Sequence, residues 1–518
     1  MKRLSFIFLL AVTMLPGQLA GGQIFPSPRY LQHLVTKRSG PTQLPGPEKL
    51  QEYVADGKLR LSLDDAVRLA TLNDTGVRLN RLAVELSSLA VQRAFQPFDP
   101  VLTSTFQPRR SKSPATSELD GASTLSQLSH QGSIGYAQTF QTGTSYNIGF
   151  STTRNASNNS FAFVNPSFAS SLNFSLTQPL LRRRGLLANR APIVIARRSL
   201  KQSAANFEAQ LSDAVQTAVN RYWDVVQARE ELRVLRKSLE LAEETYKRDK
   251  RALELGALPP LDIYRSESQV AQRKLAAIQT EYRLKEIEDD FRRIIGADLE
   301  PAIQELPLEL TEPADAPLTP VDANQALQRA YAKRPELENL RQQIANDDTT
   351  VQVANQNLKP DLNLTGFYST NGSGGTLIDS ETGGVISKGG FGDAWSQLTG
   401  FNYPTYGVTL ELRLPLRNRG AEADLGTALV SKRRTLYQMR QRQQAIALEV
   451  RNAVNEMEKS HVSIAAAETA LDLAKKNLAA DQRKYELGTE TIFFVLDAQT
   501  QLSQAEQNLV QARIGYRR

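Results

Sequence analysis

The longest uninterrupted helical pattern in the chain is the stretch from Ile193 to Leu255. It lies between Pro192 and Gly256, contains no glycine or proline over 63 residues (193 to 255), and is rich in alanine, leucine, glutamate, glutamine, lysine and arginine. This composition predicts one continuous helix, which at about 1.5 Å per residue would be roughly 95 Å long. Ordinary globular helices have about 8 to 20 residues, so the stretch is predicted to lie against other long helices rather than inside a compact domain.

The first 22 residues have the pattern of a secretory signal peptide. Lys2 and Arg3 precede the apolar run Leu4–Leu15, and small residues follow as far as Gly22. A membrane anchor is the alternative, but an apolar run of about 12 residues is too short to cross the ~30 Å hydrocarbon core. Because the chain has no cysteine, we expect an exported protein without disulfides and without the acylated cysteine of a lipoprotein.

The charge and the histidines argue against several classes of function. The formal net charge is +7, from 62 lysines and arginines and 55 aspartates and glutamates. The two signs are interspersed along the chain, which does not favour nucleic-acid binding. His33, His130 and His461 are far apart and lack metal-ligand spacing. No catalytic constellation is present, so no metal, cofactor or enzymatic activity is predicted.

Changes in composition divide the chain into successive segments. The predicted segments are a signal peptide (1–22), a Pro-rich arm (23–60), short helices of a first repeat (61–98), its β-strands and extracellular loop (99–181), its long helical hairpin (192–296), a linker (297–320), and the matching short helices (321–358), β-strands and loop (359–416) and long helical hairpin (421–518) of a second repeat.

The two β segments show alternation of period 2. The run from Ile134 to Phe140 is predicted to pair with the run from Tyr146 to Phe150 across a turn at 141–143, and Leu172–Thr177 alternates cleanly. Alternating segments separated by polar loops are typical of a transmembrane β-barrel, although each segment is a weak signal. A soluble sandwich would alternate in the same way, so the strands alone leave both possibilities open.

The second half of the chain repeats the first. Pro360 follows Pro100 at an offset of 260, and Gly488 follows Gly256 at an offset of 232. Each half is predicted to contain a short helix, a second helix, strands, a long helix, a turn and a returning helix. The long helix of the second half is predicted at Thr427–Leu487, which contains no glycine or proline.

Helix lengths predict how the helices are arranged. The returning helix Leu261–Ile295 is too short to flank the long helix alone, but stacked end to end with Gly76–Phe95 it would cover about 83 Å. The long helix is therefore predicted to be flanked by stacked pairs. At the 232-residue offset Arg518 corresponds to Glu286, about ten residues before the end of the first returning helix. Either the second returning helix is shorter than the first, or the given sequence was cut.

The strand count predicts either soluble strands or a shared barrel. Each half is expected to supply at least two strands, or about four per chain. Known single-chain barrels need about eight strands or more, and an unpaired edge in lipid leaves backbone groups unsatisfied. Either the strands are soluble, or several chains share one barrel and their helices form a second tube.

Short motifs in a fixed order resemble a known family. They are Leu63-Asp64-Asp65-Ala66 with Asn73, Leu176-Thr177-Gln178-Pro179-Leu180-Leu181, and Leu487-Gly488-Thr489 followed by Val495-Leu496-Asp497-Ala498-Gln499. In this order, within a duplicated chain that begins with a signal peptide, they make Leu61–Arg518 resemble the TolC-like outer-membrane efflux proteins (outer membrane factors).

This resemblance implies a fold and a function. It implies an α+β membrane protein with two repeats per chain, forming a homotrimer with a 12-stranded transmembrane β-barrel that a long periplasmic α-helical barrel continues. It implies a passive exit duct in the bacterial outer membrane for a tripartite efflux pump or a type I secretion system. The implied partners are a periplasmic adaptor protein, an inner-membrane pump and outer-membrane lipid. The alternative is a periplasmic coiled-coil adaptor or scaffold protein with soluble β modules.

The resemblance also assigns site residues. The expected periplasmic gate residues are Asp262, Tyr485, Glu490, Phe494 and Asp497. The sequence departs from the family pattern at two of them, since some relatives have a basic residue at the position of Glu490 and an acidic residue at that of Phe494. The expected adaptor contacts are Leu255, Gly256, Ala257, Leu258, Leu487, Gly488 and Thr489. Independently of the resemblance, the aromatic residues at the end of a Gly-rich extracellular loop (371–400) are expected to lie at the membrane interface: Trp395, Phe401, Tyr403 and Tyr406.

Physical reasoning leaves alternatives open at two of these sites. A hydrogen bond from Tyr485 to Asp262 would be a switchable latch, since it exchanges for water at little net cost. A ring of Phe494 side chains could gate by dewetting, and Asp497 would favour cations, or Phe494 could pack between helices. Gly256 and Gly488 end helices whether or not an adaptor binds there.

Overall fold

The computed structural model describes residues 46–116, 121–256, 259, 261–313, 321–379 and 382–518. The predicted signal peptide, most of the predicted Pro-rich arm, and Ala257 and Leu258 of the predicted adaptor contact lie outside the described residues. The chain divides into one unit of residues 1–47 and another of residues 48–518. All the described helices and strands belong to the second unit.

The described residues form ten α-helices and ten β-strands, with 3-10 turns at Leu50–Tyr53, Gln96–Phe98 and Ala297–Leu299. In chain order the elements are β1 (Val54–Ala55), β2 (Lys58–Leu61), α1 (Leu63–Asn73), α2 (Thr75–Arg93), β3 (Val101–Pro114), β4 (Thr124–Thr139), β5 (Ser145–Ser157), β6 (Val164–Pro179), α3 (Leu186–Glu254), α4 (Ile263–Ile295), α5 (Pro301–Gln304), β7 (Leu308–Leu310), α6 (Ala323–Lys333), α7 (Pro335–Asn357), β8 (Asp361–Ile378), β9 (Val385–Ser387), α8 (Phe391–Thr399), β10 (Pro404–Arg413), α9 (Arg419–Glu486) and α10 (Ile492–Arg517).

The two long helices extend further toward the sheet than their patterns predict. α3 has 69 residues and α9 has 68, so each is about 100 Å long. α3 begins at Leu186, seven residues before the predicted Ile193, and α9 begins eight residues before the predicted Thr427. Pro192 lies within α3. Burial of Ala191 and Ile193 on either side of it offsets the backbone hydrogen bond that proline cannot make. None of the helices in the described ranges is both long and apolar enough to cross a membrane.

Stacked pairs of helices flank α3, as the lengths predict. α2 and α4 both pack extensively on α3 and make at most marginal contact with α9, so they form one column on the side of α3 away from α9. The hydroxyls of Ser87 on α2 and Ser203 on α3 lie 2.6 Å apart. Nearer the turn, Arg229 on α3 forms a 2.6 Å ion pair with Glu288 on α4.

A second stacked column, α7 and α10, lies between the two long helices. Both helices of this column contact α3 and α9. Arg198 on α3 donates a hydrogen bond to Thr349 on α7 at 2.6 Å, and Thr435 on α9 donates to Asp347 on α7 at 2.6 Å. The chain therefore presents four helical columns side by side, in the order α2/α4, α3, α7/α10, α9.

A three-stranded sheet closes the main hydrophobic core. β2 lies between β1 and β7 and runs parallel to β7, with Leu59 opposite Leu308. Leu59 is fully buried, as are Tyr222, Trp223 and Phe291, which pack in the same core cluster. The end of the predicted Pro-rich arm supplies β1 and most of β2, and the predicted linker supplies β7. Two segments about 250 residues apart in the chain thus form one packed sheet.

The prediction of about four strands per chain is wrong. The large sheet contains six long antiparallel strands in the order β10-β8-β6-β5-β4-β3, with the short β9 paired to β8. The predicted hairpin is confirmed in its register, since Ile134 pairs with Phe150 and Gln138 with Tyr146. The first half contains two hairpins rather than one. The sequence pattern missed the first hairpin because β3 carries charges and prolines that hide its alternation.

Strand alternation gives this sheet two different faces. Directly paired residues share a face. One row crosses all six strands on what we call the apolar face: Leu102, Tyr136, Ile148, Phe174, Tyr368 and Tyr406. The neighbouring row lies on the polar face: Thr103, Gly135, Gly149, Asn173, Ser369 and Thr405. Two further leucines of β10, Leu410 and Leu412, lie on the apolar face, and both are more than half exposed in the single chain.

Candidate functional site

The two glycines that follow α3 and α9 have the same backbone conformation. Gly256 and Gly488 have φ values of +72° and +73°, a backbone region that strains a residue with a Cβ. Leu255 and Leu487, which precede them, are 84% and 67% exposed. The Thr489 hydroxyl donates to a carbonyl in the last turn of α9 at 3.0 Å. Both glycines therefore end helices, and both turns also present an apolar side chain to solvent.

Tyr485 joins the ends of the two long helices. Its hydroxyl donates a hydrogen bond to Oδ1 of Asp249 on α3, at 3.3 Å. Asp249 is only 1% exposed. The Arg248 guanidinium lies 4.9 Å from the centroid of the Tyr485 ring, and its Nε lies 3.9 Å from Asp249 Oδ1. A tyrosine, a buried carboxyl and a cation thus form one contact about one and a half turns before the end of α3.

Burial controls the ionisation of this contact. Desolvation raises the pKa of Asp249 above its ordinary value of 3.8, and the positive charge of Arg248 and the hydroxyls of Ser266 and Tyr485 offset part of that rise. The charge of Asp262 raises the pKa of Asp249 further. Burial, followed by the charge of Asp249, raises the pKa of the Tyr485 hydroxyl. Asp249 therefore keeps its proton to a higher pH than an exposed aspartate does.

The residue that accepts the Tyr485 hydrogen bond differs from the expected Asp262. Asp262 immediately precedes α4. In the described part of the chain its charge raises the pKa of Asp249 and the pKa of Tyr485, but no hydrogen bond joins it to either side chain. The acceptor Asp249 lies on the other arm of the hairpin because α9 packs on α3. A signal for it exists in the sequence, since it continues a stripe of buried small and polar residues spaced four, three and four apart: Ser238, Ala242, Thr245 and Asp249.

Glu490 is held within its own turn. Lys484 Nζ lies 2.7 Å from Glu490 Oε1 and 3.4 Å from Asp481 Oδ1. These two carboxylates, Glu490 first, raise the pKa of the Lys484 ammonium. The ion pair therefore links the last turn of α9 to the segment that leads into α10.

Phe494 and Asp497 share an exposed face of α10. Phe494 is 49% exposed, Phe493 is 52% exposed, and their rings meet edge to face at 5.6 Å. Asp497 is exposed and accepts a hydrogen bond from Gln501 at 2.7 Å. The opposite face of the helix is buried and contains Ile492, Val495, Leu496 and Ala498. The chain's own helices thus leave this aromatic and acidic face uncovered.

Arg273, which the sequence does not single out, links three helices beside the gate residues. Its two terminal nitrogens donate to Ser238 Oγ on α3 at 2.6 Å and to Thr500 Oγ1 on α10 at 2.8 Å. Nearby, Gln499 on α10 donates to Thr245 on α3 at 3.0 Å. Burial lowers the pKa of Arg273 from its ordinary value. One arginine among 62 basic residues has no pattern that would mark it in advance.

The expected interface aromatics divide between the two faces of the large sheet. Tyr406 stacks on Tyr368 of the apolar face with 6.5 Å between ring centroids, and Phe401 lies 6.3 Å from the same ring. Tyr403 instead lines a groove with Ser151 and other residues of the polar face. Trp395 does not lie in an irregular loop, because the predicted loop 371–400 contains the end of β8 and all of α8.

The family model described as outer membrane efflux protein matches residues 145–297 and 326–517, which together are more than half of the chain. The first matched segment begins at Ser145, the first residue of β5, and the second begins within α6. The β3–β4 hairpin therefore precedes the matched residues.

Solved structures with the same fold include three bacterial outer membrane proteins. VceC of Vibrio cholerae is 14% identical with a TM-score of 0.61, covering 92% of this chain and 97% of its own. The CmeC channel of Campylobacter jejuni is 14% identical with a TM-score of 0.60, covering 88% and 83%. The MtrE channel of Neisseria gonorrhoeae, in its open state, is 17% identical with a TM-score of 0.57, covering 88% and 86%. No curated protein sequence is a significant match. At these identities the likeness shows the fold, with its α+β content and two repeats.

Proposed function

Because the chain belongs to the outer membrane efflux protein family, we propose that three copies of it form the exit duct of a tripartite efflux pump or a type I secretion system in a bacterial outer membrane. The four helical columns of each copy form part of a periplasmic tube, and the large sheets form the wall that crosses the membrane. The observation that carries the proposal is that the helical layer and the large sheet of one chain each end in two open edges.

The helical layer has an apolar open edge. On α2, in the outermost column, four leucines at helical spacing are each more than half exposed: Leu79, Leu82, Leu86 and Leu89. α9, at the opposite edge, exposes Leu429, Tyr437 and Leu448. Stripes of this kind are normally covered by a partner. Three copies supply 12 columns, and at about 9–10 Å between axes these form a ring roughly 36 Å in diameter.

The large sheet also has two edges that fit each other. β3 and β10 are its outer strands and run in opposite directions, so β10 of one copy can pair in antiparallel fashion with β3 of the next. Three copies of six strands supply 18. With strands about 4.8 Å apart and tilted by about 40°, such a barrel has a diameter of roughly 36 Å, whereas 12 strands give roughly 24 Å. We therefore infer an 18-stranded wall, which replaces the expected 12 strands and matches the helical ring.

Disulfide trapping tests this closure, because the chain has no native cysteine. Aligning the helix-side ends of β10 and β3 places Val408 opposite Phe106 of the next copy, on the apolar face. The double variant Val408→Cys, Phe106→Cys is expected to form covalent trimers on oxidation in membranes. The control pair Val408→Cys, Phe150→Cys would form them instead if β5, rather than β3, were the closing strand of a 12-stranded barrel. Trimers from the control pair alone would overturn the 18-stranded arrangement.

Conductance tests the duct itself. The purified protein is expected to form pores in planar bilayers and to remain in the membrane fraction after carbonate washing. A periplasmic scaffold with soluble β modules would do neither, and its exposed apolar sheet face would have no lipid to cover it.

In this duct the helical turns form the periplasmic end. The contact of Tyr485 with buried Asp249 supports a latch that holds α9 against α3, and exposed Leu255 and Leu487 are available to an adaptor protein. A photo-crosslinking residue at position 255 or 487 is expected to capture an adaptor in cells. The same residue in place of exposed Leu299, far from the turns, is the control. Equal capture from both places would contradict adaptor binding at the turns.

A further inference from the structure

All the cationic side chains of β3–β6 lie toward one end of these strands. They are Arg109, Arg110, Lys112 and Arg154, in the halves of β3 and β5 remote from the long helices, which we call the outer end. β3, β4, β5 and β6 contain no aspartate or glutamate. A one-signed group of charges in four otherwise uncharged strands fits an anionic partner.

Three of the four cations lie on the apolar face. Arg110 and Lys112 are exposed and share the parity of Leu102 on β3. Arg154 pairs directly with Phe168, whose ring centroid lies 5.9 Å from the guanidinium carbon. Arg109 has the opposite parity and lies on the polar face. The arginine and lysine side chains of this group thus project from the same face as the apolar rows.

The height of this group above the apolar rows corresponds to a membrane interface. Arg110 lies eight residues beyond Leu102, which is about 27 Å along the strand and roughly 20 Å along the barrel axis at a 40° tilt. The apolar band of outer-membrane barrels is about 25 Å tall. In the proposed duct the cations therefore lie near the level of the outer-leaflet headgroups.

Helix α8 adds an aromatic shelf beside the cations. Its Trp395 meets Phe150 edge to face at 5.6 Å, and its Phe391 lies 6.5 Å from Phe168. The helix is seated closely on the apolar face, because a Cβ added to Gly372 would lie 2.0 Å from a backbone oxygen of α8. Phe391 and Trp395 remain 42% and 43% exposed. An amphipathic helix with exposed aromatics is suited to the boundary between headgroups and acyl chains.

We propose that the cations Arg110, Lys112 and Arg154, together with the α8 shelf, bind a phosphorylated lipid of the outer leaflet. The phosphates lie against the cations, and the upper parts of the acyl chains lie against Trp395 and Phe391. The Cα atoms of Arg110 and Arg154 are separated by two strand spacings and two residues along the strand, or about 12 Å. This separation suits one headgroup with two phosphates. The continuity of this surface with the apolar face selects a lipid over a free phosphate. The inference rests on the proposed membrane location of the sheet.

Tryptophan fluorescence tests the proposal in the full-length protein. Trp395 is half-exposed at the site, whereas Trp223 is fully buried in the helical core and serves as a constant background. The protein in detergent is titrated with lipid A carrying two phosphates, and with the same lipid dephosphorylated. The triple variant Arg110→Gln, Lys112→Gln, Arg154→Gln is expected to bind the phosphorylated lipid at least tenfold more weakly than the original chain. Arg109→Gln, on the polar face of the same strand, is expected to bind within twofold of the original.

Three results would overturn the proposal. These are undiminished binding by the triple variant, an equal loss in Arg109→Gln, and equal binding of the two lipids by the original chain. The charge-conserving variant Arg110→Lys, Arg154→Lys is expected to keep its affinity, and weak binding by it would refute recognition by charge. Pore conductance is measured on each variant. Retained conductance without lipid selectivity rejects the lipid site alone, whereas absent conductance in the original chain rejects the duct.

Discussion

Replacing Tyr485 by phenylalanine removes the hydroxyl that binds Asp249 in the contact between α9 and α3. Asp249 is 1% exposed, so water cannot readily take the place of the lost donor. A hydrogen bond contributes about 0.5–1.5 kcal/mol between neutral groups and about 1.5–3 kcal/mol to a charged one. Because burial favours the neutral carboxyl of Asp249, we expect a loss of about 1–2 kcal/mol per chain. This corresponds to a shift of about 5- to 30-fold toward the open state.

Single-channel recording in planar bilayers measures this shift as the fraction of time spent in the high-conductance state. The control is Tyr264→Phe, which removes a hydroxyl from a 66% exposed tyrosine near the same turn and should leave gating unchanged. Double-mutant cycles then identify the partner. Tyr485→Phe should be non-additive with Asp249→Asn by about 1 kcal/mol and additive with Asp262→Asn.

Two results would refute this reasoning. If Tyr485→Phe gated like the original chain, the contact would not hold the closed state. If Tyr485→Phe coupled to Asp262→Asn rather than to Asp249→Asn, the latch would be the pair that the family resemblance implies, and the contact with Asp249 would not be the one that opens.

Further predictions concern pH, the pore and the core. Burial raises the pKa of Asp249 in the contact with Tyr485, so protonation of Asp249 favours the closed state. This preference is full at pH values below 3.8, the ordinary pKa of an aspartate, and is lost as the pH rises through the raised pKa. Conductance should therefore rise over that pH interval, and Asp249→Asn should abolish this pH dependence. If Phe494 lines the constriction, Phe494→Ala should raise conductance while Phe493→Ala should change it less, and equal conductances would reject the ring. Leu59→Ala should cost about 2–5 kcal/mol in denaturant unfolding because Leu59 is fully buried. Leu255→Ala at the 84% exposed turn should cost under about 0.5 kcal/mol, and similar losses would place Leu59 outside the core.

Some of the candidate site was predictable because its signals are local. Gly256 and Gly488 each end a long run without glycine or proline, which is a local signal for a helix end. Tyr485 and Phe494 were named through the family resemblance, and their roles stay predictions. The partner of Tyr485 was not predictable in this way, because Asp249 is 236 residues distant and is selected by the packing of α9 on α3. The helical spacing of Ser238, Ala242, Thr245 and Asp249 indicates from the sequence that Asp249 lies on one stripe of α3. It does not indicate which distant residue Asp249 contacts.

The sequence by itself determined the elements whose information is local and periodic. Gly- and Pro-free runs required α3 and α9, the repeat related the two hairpins, and alternation set the register of β4 on β5. Only the tertiary structure decided that β2 joins β7, that six strands rather than four form the large sheet, and that α8 lies on its apolar face. The physical reason is that these pairings join distant segments through backbone hydrogen bonds and close packing, which leave little trace in the order of residues along either segment.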